Sequence, residues 1–142
     1  MAFKKILVAF DGSDLSKKAL ELAADIARMD SETQLDVVYA ATVPAFAVTD
    51  ASSMQAVIDS MAGEGEEVIS QAQDILKDLG DRVETKLVRG VYPADEILVI
   101  VETGGYDLVV MGSRGLGGIK EYIGSVSHKV LHNSSAPVLI AK

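Results

Sequence analysis

The sequence predicts a doubly wound α/β fold, an open parallel sheet of five strands with helices on both faces. Three observations predict it. Five short apolar runs recur along the 142 residues. Amphipathic stretches at helical spacing separate them. Several of the runs are near-continuous rather than alternating, as parallel strands covered on both faces are.

The apolar runs are Ile6 to Phe10, Leu35 to Ala41, Val83 to Val88, Leu108 to Met111 and Val138 to Ala141. After the first, Ser13 is a natural N-cap for a helix with Leu15, Ala19, Leu22, Ala23 and Ile26 at helical spacing. A second helical pattern uses Val68, Ala72, Ile75, Leu76 and Leu79, and Gly80 reads as its C-terminal stop. Pro93 suits the first turn of a third helix, which carries Ala94, Ile97, Leu98 and Val101. A fourth runs through Val126, Val130 and Leu131. Strand and helix in alternation imply a parallel sheet, and ligands on such sheets bind beyond the C-terminal strand ends where strand order reverses. The segment from Pro44 to Glu66 breaks the rhythm; its length and its glycines, Gly63 and Gly65, suit either a mobile or a partly helical connection.

The length matches one domain, residues 1–142. Without cysteine, disulfides, thiolate zinc sites and Cys nucleophiles are excluded. The N-terminal apolar run is too short for a signal peptide or a membrane span, so a cytoplasmic protein without membrane attachment is expected. A net charge of −8 argues against general nucleic-acid binding, which needs a basic surface. The charge is uneven, however. Between Met111 and His132, Arg114, Lys120 and Lys129 face Glu121 alone, whereas acid gathers between Asp59 and Asp81.

The most informative stretch is VVMGSRGLGGIKEYIGSVS, Val109 to Ser127. It joins the end of a strand to a Gly-rich loop and then to a helix start. Glycines let backbone approach an oxyanion closely, and free N–H groups at a helix N-terminus favour a phosphate. Gly112, Gly115, Gly124, Ser125 and Ser127 are therefore candidate phosphate-binding residues, Met111 and Val126 candidates for the same ligand site, and Arg114 a cation able to pair with the anion. No Gly-Lys-Ser/Thr occurs, so this is not a Walker A loop, and no GxGxxG follows the first strand. The alternative is a turn that only returns a strand to a helix; the place after a buried strand and before a helix favours the phosphate reading.

Asp11 ends the first strand in ILVAFDGSD, after Ala9 and Phe10, which are candidates for the same site. Its carboxylate would repel phosphate, which places it away from the anion end. It suits an adenine amino group, a ribose hydroxyl or a divalent cation, or simply the turn that Asp-Gly-Ser-Asp would shape. Lys120 and Lys129 read as solvated charges, and the run of Glu64, Glu66 and Glu67 as a solvated helix start. His128 and His132 share a helix face, with no third metal ligand nearby in sequence. No serine nucleophile, base and acid set is visible.

These residues carry a resemblance. KKILVAFDGSDLSKKALELA, GVYPADEIL, YDLVVMGSRGLGG and GSVSHKVLHNSSAPVLIAK closely resemble a universal stress protein, in order and over nearly the whole chain. The resemblance implies a Rossmann-like, adenine nucleotide alpha hydrolase-like fold and a homodimer paired through the C-terminal strand, Pro137 to Lys142. It implies ATP as ligand, alone or with Mg2+ or Mn2+, and an unknown regulatory protein partner in a stress response. By that analogy Gly115, Gly124, Ser125 and Ser127 face the phosphates, Asp11 the adenosine end, and Ala40 the adenine. The family's binding branch spaces its last two glycines by nine residues, whereas eight, Leu116 to Ile123, stand here. In an open loop the missing residue is absorbed; in a helical turn its loss would rotate every later residue by about 100°. Two functions stay open on this point: a nucleotide-responsive regulatory dimer, or a dimeric interaction module that binds no nucleotide. With no bridging lysine or positioned base, ATP hydrolysis is expected to be slow and incidental at most.

Overall fold

The computed structural model describes residues 3–115 and 123–142. In chain order they form β1 (Lys5–Ala9), α1 (Asp14–Arg28), β2 (Gln34–Thr42), α2 (Ala51–Ile75), β3 (Val83–Gly90), α3 (Pro93–Gly104), β4 (Leu108–Gly112), α4 (Ser125–Asn133) and β5 (Val138–Ala141). The 3-10 turns Ala45–Thr49 and Lys77–Arg82 flank α2. The strands lie in the order β3-β2-β1-β4-β5, every pairing parallel. The chain runs outward from β1 to β2 and β3, then restarts on the other side of β1 with β4. Strand order therefore reverses between β1 and β4, where a doubly wound sheet opens a crevice.

Side-chain alternation along the strands divides the core into two layers. Ile6, Val8, Leu35, Val37, Leu108 and Val110 pack with α1 and α2 residues such as Leu20, Ala23 and Val68 on one face. Leu7, Val38, Val109 and Met111 pack with Ala94, Ile97 and Val130 of α3 and α4 on the other. Burial on both faces explains the near-continuous apolar runs, and each fully buried Val, Leu or Ile contributes roughly 1.5–3 kcal/mol. Asp36 is an exception inside this sheet, and it is satisfied: the Tyr106 hydroxyl donates to its Oδ2 at 2.6 Å. Burial first, and the Asp36 carboxylate second, raise the Tyr106 phenol well above the usual tyrosine range.

Several sequence expectations need revision. β1 ends at Ala9, one residue early, although Phe10 still donates its N–H to the Val38 carbonyl at 2.9 Å. Gly112 belongs to β4 as its last residue. The segment from Pro44 to Glu66 is ordered as a 3-10 turn and the first half of α2, which Asp50 caps by accepting from Ser52 N–H at 3.1 Å. Glu64, Glu66 and Glu67 consequently lie in mid-helix and not at a helix start. Gly80 does not end α2. The helix stops at Ile75, and Gly80 turns the chain at φ 60° within the following 3-10 segment. That extra turn tucks Leu79 into the core beside Leu76. α1 and α3 begin as expected, at Ser13 and Pro93, and α3 closes on Gly105 with φ 69°.

Candidate functional site

A cavity of about 790 Å³ opens at the C-terminal edge of β1, β2 and β4. Every candidate residue of the sequence reading lines it: Ala9, Phe10 and Asp11 after β1, Ala40 from β2, Met111, Gly112, Arg114 and Gly115 after β4, and Gly124, Ser125, Val126 and Ser127 at the start of α4. Its size lies within the usual range for small-molecule sites.

The three glycines do different work. A Cβ on Gly112 would stand 2.9 Å from the Leu15 Cβ and 3.0 Å from its backbone carbonyl carbon, so this glycine seats the first turn of α1 on β4. Gly124 instead closes the loop. Its N–H donates to the Ser113 carbonyl at 2.6 Å, and a Cβ there would lie 3.2 Å from the Arg114 Cα. Gly124 thus stands beside the end of β4. Residues 116–122, Lys120 among them, lie outside the described residues. Gly115 lies against the Asp11 carboxylate, which would have to turn aside for a side chain at 115.

That contact brings Asp11 beside Gly115, one of the loop glycines expected to face a phosphate. The turn after β1 explains it. Asp11 Oδ1 accepts the Ser13 N–H at 2.9 Å, which shapes the turn and directs the other oxygen towards Gly115. Ser127 is also more constrained than its sequence suggests. It is buried, and its hydroxyl donates to the Gly112 carbonyl at 2.7 Å, tying α4 to the end of β4. The α4 cap is Gly124, which has no side chain to bond the first amides of the helix. Those amides, at the positive end of the helix dipole, are what the cavity offers to an anion.

The opposite wall comes from residues that sequence reasoning missed: Tyr39 and Thr42 of β2, Pro44, and Val57, Ser60, Met61 and Glu64 of α2. Pro93 and Ile97 of α3 add to the floor. Burial, then the Glu64 and Asp11 carboxylates, raise the Tyr39 phenol above its ordinary range, which keeps it a neutral donor at neutral pH. A sequence signal existed: Met54, Val57, Ile58 and Met61 recur at helical spacing within the segment that its glycines disguised. Lys129 is held elsewhere, 2.6 Å from Asp95 and over the Tyr92 ring. His128 and His132 meet with ring centroids 4.3 Å apart and planes tilted by 53°, and no group of three metal-ligating side chains occurs among the described residues.

Comparison with known proteins decides the family. The model of the universal stress protein family matches residues 2–142. The chain belongs to the universal stress protein family. Universal stress protein YxiE of Bacillus subtilis is 36% identical, with 99% of each chain covered. Among solved structures, MJ0577 of Methanocaldococcus jannaschii superposes with a TM-score of 0.86 at 26% identity, covering 100% of this chain and 97% of that one. A universal stress protein solved in complex with cAMP gives a TM-score of 0.73 at 28% identity, covering 100% of this chain and 99% of that one. The universal stress protein fold is therefore shown for this chain, with the cavity at the strand-order reversal. No helix among the described residues is long and apolar enough to cross a membrane.

Proposed function

We propose that this universal stress protein is a regulatory nucleotide-binding protein whose cavity takes ATP or a related adenine nucleotide. The observation that carries the reading is the start of α4: a helix N-terminus capped only by glycine, opening into the cavity. A phosphate is the ligand that such a terminus favours. The relative solved with cAMP supports an adenine nucleotide as the class. The amides of Ser125 and its neighbours, with Arg114, would hold the phosphates. Ala40 and Met111 would line the base, and the Tyr39 hydroxyl would offer it or the ribose a hydrogen bond. Were Mg2+ or Mn2+ to accompany the nucleotide, the Asp11 carboxylate would be the protein oxygen ligand and the cation would offset phosphate charge.

β5 lies at one end of the sheet with β4 as its neighbour, and Leu139 on it is exposed. An apolar edge of this kind favours pairing with its own copy about a two-fold axis. The proposal is accordingly a single-domain, cytoplasmic homodimer, joined through Pro137 to Lys142, that answers to nucleotide and engages a further regulatory protein.

Calorimetry on refolded protein, freed of carried-over ligand, tests the reading. ATP binds, and at 100 times its Kd it raises unfolding free energy by about 2.7 kcal/mol. Gly124→Val crowds the Arg114 backbone and weakens binding at least about tenfold, the loss of one charge-assisted hydrogen bond or more. Folded protein that ignores millimolar ATP would leave the interaction module without nucleotide as the better account.

A further inference from the structure

We infer that the first half of α2 is a lid over the nucleotide cavity, hinged at Gly63; the inference rests on the nucleotide reading above. The helix is continuous from Ala51 to Ile75, but its two halves are held very differently. From Gly65 onward it is anchored, with Gly65, Val68 and Ala72 buried and Leu76 buried just beyond it. Before Gly65 no residue of α2 is buried. Its apolar stripe, Met54, Val57, Ile58 and Met61, is half-buried, and Val57 and Met61 look into the cavity.

The glycines flanking Glu64 mark the boundary, and they are not equivalent. A Cβ on Gly65 would press on the Leu87 side chain at 3.0 Å, so Gly65 lets α2 lie close to β3. Gly63 has nothing within 4 Å of a Cβ position, is exposed, and has ordinary helical geometry. Packing does not ask for glycine there. In a helix interior it weakens the backbone where anchored and unanchored halves meet.

The interface beneath α2 is also imperfect. Two buried polar atoms lack a partner among the described residues, Gln71 Oε1 and Arg89 Nε. Gln71 lies on α2 itself. Arg89 follows Leu87 by two residues in β3 and so points to the face that α2 covers. Gln71 belongs to the anchored half and stays in place; Arg89, two residues past the Leu87 that meets Gly65, is the unsatisfied group that lowers the cost of lifting the first half. Opening at Gly63 would admit nucleotide, and closure would bring Val57, Met61 and Glu64 onto it. The occupied state would then differ from the empty one in the surface that α2 presents.

Hydrogen exchange on the full chain, with ATP and Mg2+ as the probe, tests the lid alongside calorimetry. In free protein, amides of residues 51–62 exchange faster than those of residues 66–75, and ATP slows the first group. Gly63→Ala leaves the fold unchanged and slows both exchange of residues 51–62 and nucleotide release by about fivefold, the factor matching an alanine-for-glycine helix preference of ~1 kcal/mol. Ser70→Ala, exposed on the anchored half, leaves release unchanged. Equal exchange of the two halves in free protein overturns the lid, as does ATP binding that leaves residues 51–62 unprotected or release kinetics that Gly63→Ala does not alter. Absence of ATP binding by calorimetry overturns the nucleotide reading itself, and the lid with it.

Discussion

Two helices start at the same edge of the sheet, α1 after β1 and α4 after β4, and they satisfy their first backbone amides differently. At α1 the chain supplies its own partners. Ser13 Oγ accepts the Ser16 N–H at 3.3 Å, Asp11 Oδ1 accepts the Ser13 N–H, and Ser16 Oγ donates to the Ser13 carbonyl at 2.9 Å. At α4 the cap is glycine, its N–H is committed to Ser113, and the Ser127 hydroxyl turns away to Gly112. Two adjacent, similarly oriented helix dipoles therefore have opposite uses. The first is closed by side chains and serves the fold, whereas the second has a cap without a side chain, which is where the proposed nucleotide would bind. A helix N-terminus is informative about binding only when its own sequence declines to cap it.

The comparison can be broken at its strongest point by Gly124→Val, which should remove most nucleotide affinity while unfolding free energy changes much less. Gly112→Ala should do the reverse. Its Cβ would meet the Leu15 backbone, so α1 must shift from β4 at a cost of roughly 1–3 kcal/mol, read by denaturant unfolding. If Gly112→Ala is neutral in stability, the division of labour among the glycines is wrong. Ser13→Ala comes next, costing about 1 kcal/mol through the lost cap while calorimetry finds ATP affinity within a factor of two or so.

The smallest effect concerns α2, whose cap is a carboxylate. The Asp50 carboxyl is held below the usual range by the Ser53 hydroxyl first and by the Ser52 N–H and hydroxyl after it. With its folded pKa depressed, Asp50 stabilises the helix start at pH values above the ordinary carboxylate range, and that contribution is lost as pH falls through the folded value. Protection of the first turn of α2, taken against the intrinsic exchange rate at each pH, should therefore fall on acidification, and Asp50→Asn should flatten that dependence while keeping a competent cap. An unchanged pH dependence in the Asn variant would assign the acid response to other groups.

Much of the fold is legible in the chain alone. Parallel strands buried on both faces leave continuous apolar runs, so all five strands could be placed to within one or two residues. Ser13 and Pro93 act through local geometry and were readable for that reason. Gly80 misled because a positive-φ glycine marks a turn without saying which element it follows. The first half of α2 was obscured by Gly63 and Gly65, whose low helix propensity is overridden by the neighbouring packing of Gly65 on Leu87.

By itself, then, the sequence determined the order and type of the elements and the Gly-rich segment after β4, because these depend on periodicity and on backbone demands local to a few residues. Only the tertiary structure decided how the glycines divide their work, that Asp11 meets Gly115, and that Val57, Met61 and Glu64 wall the cavity. Those facts depend on the approach of segments distant in sequence, and Val, Met or Gly carries no mark of the partner it will meet once the sheet has assembled.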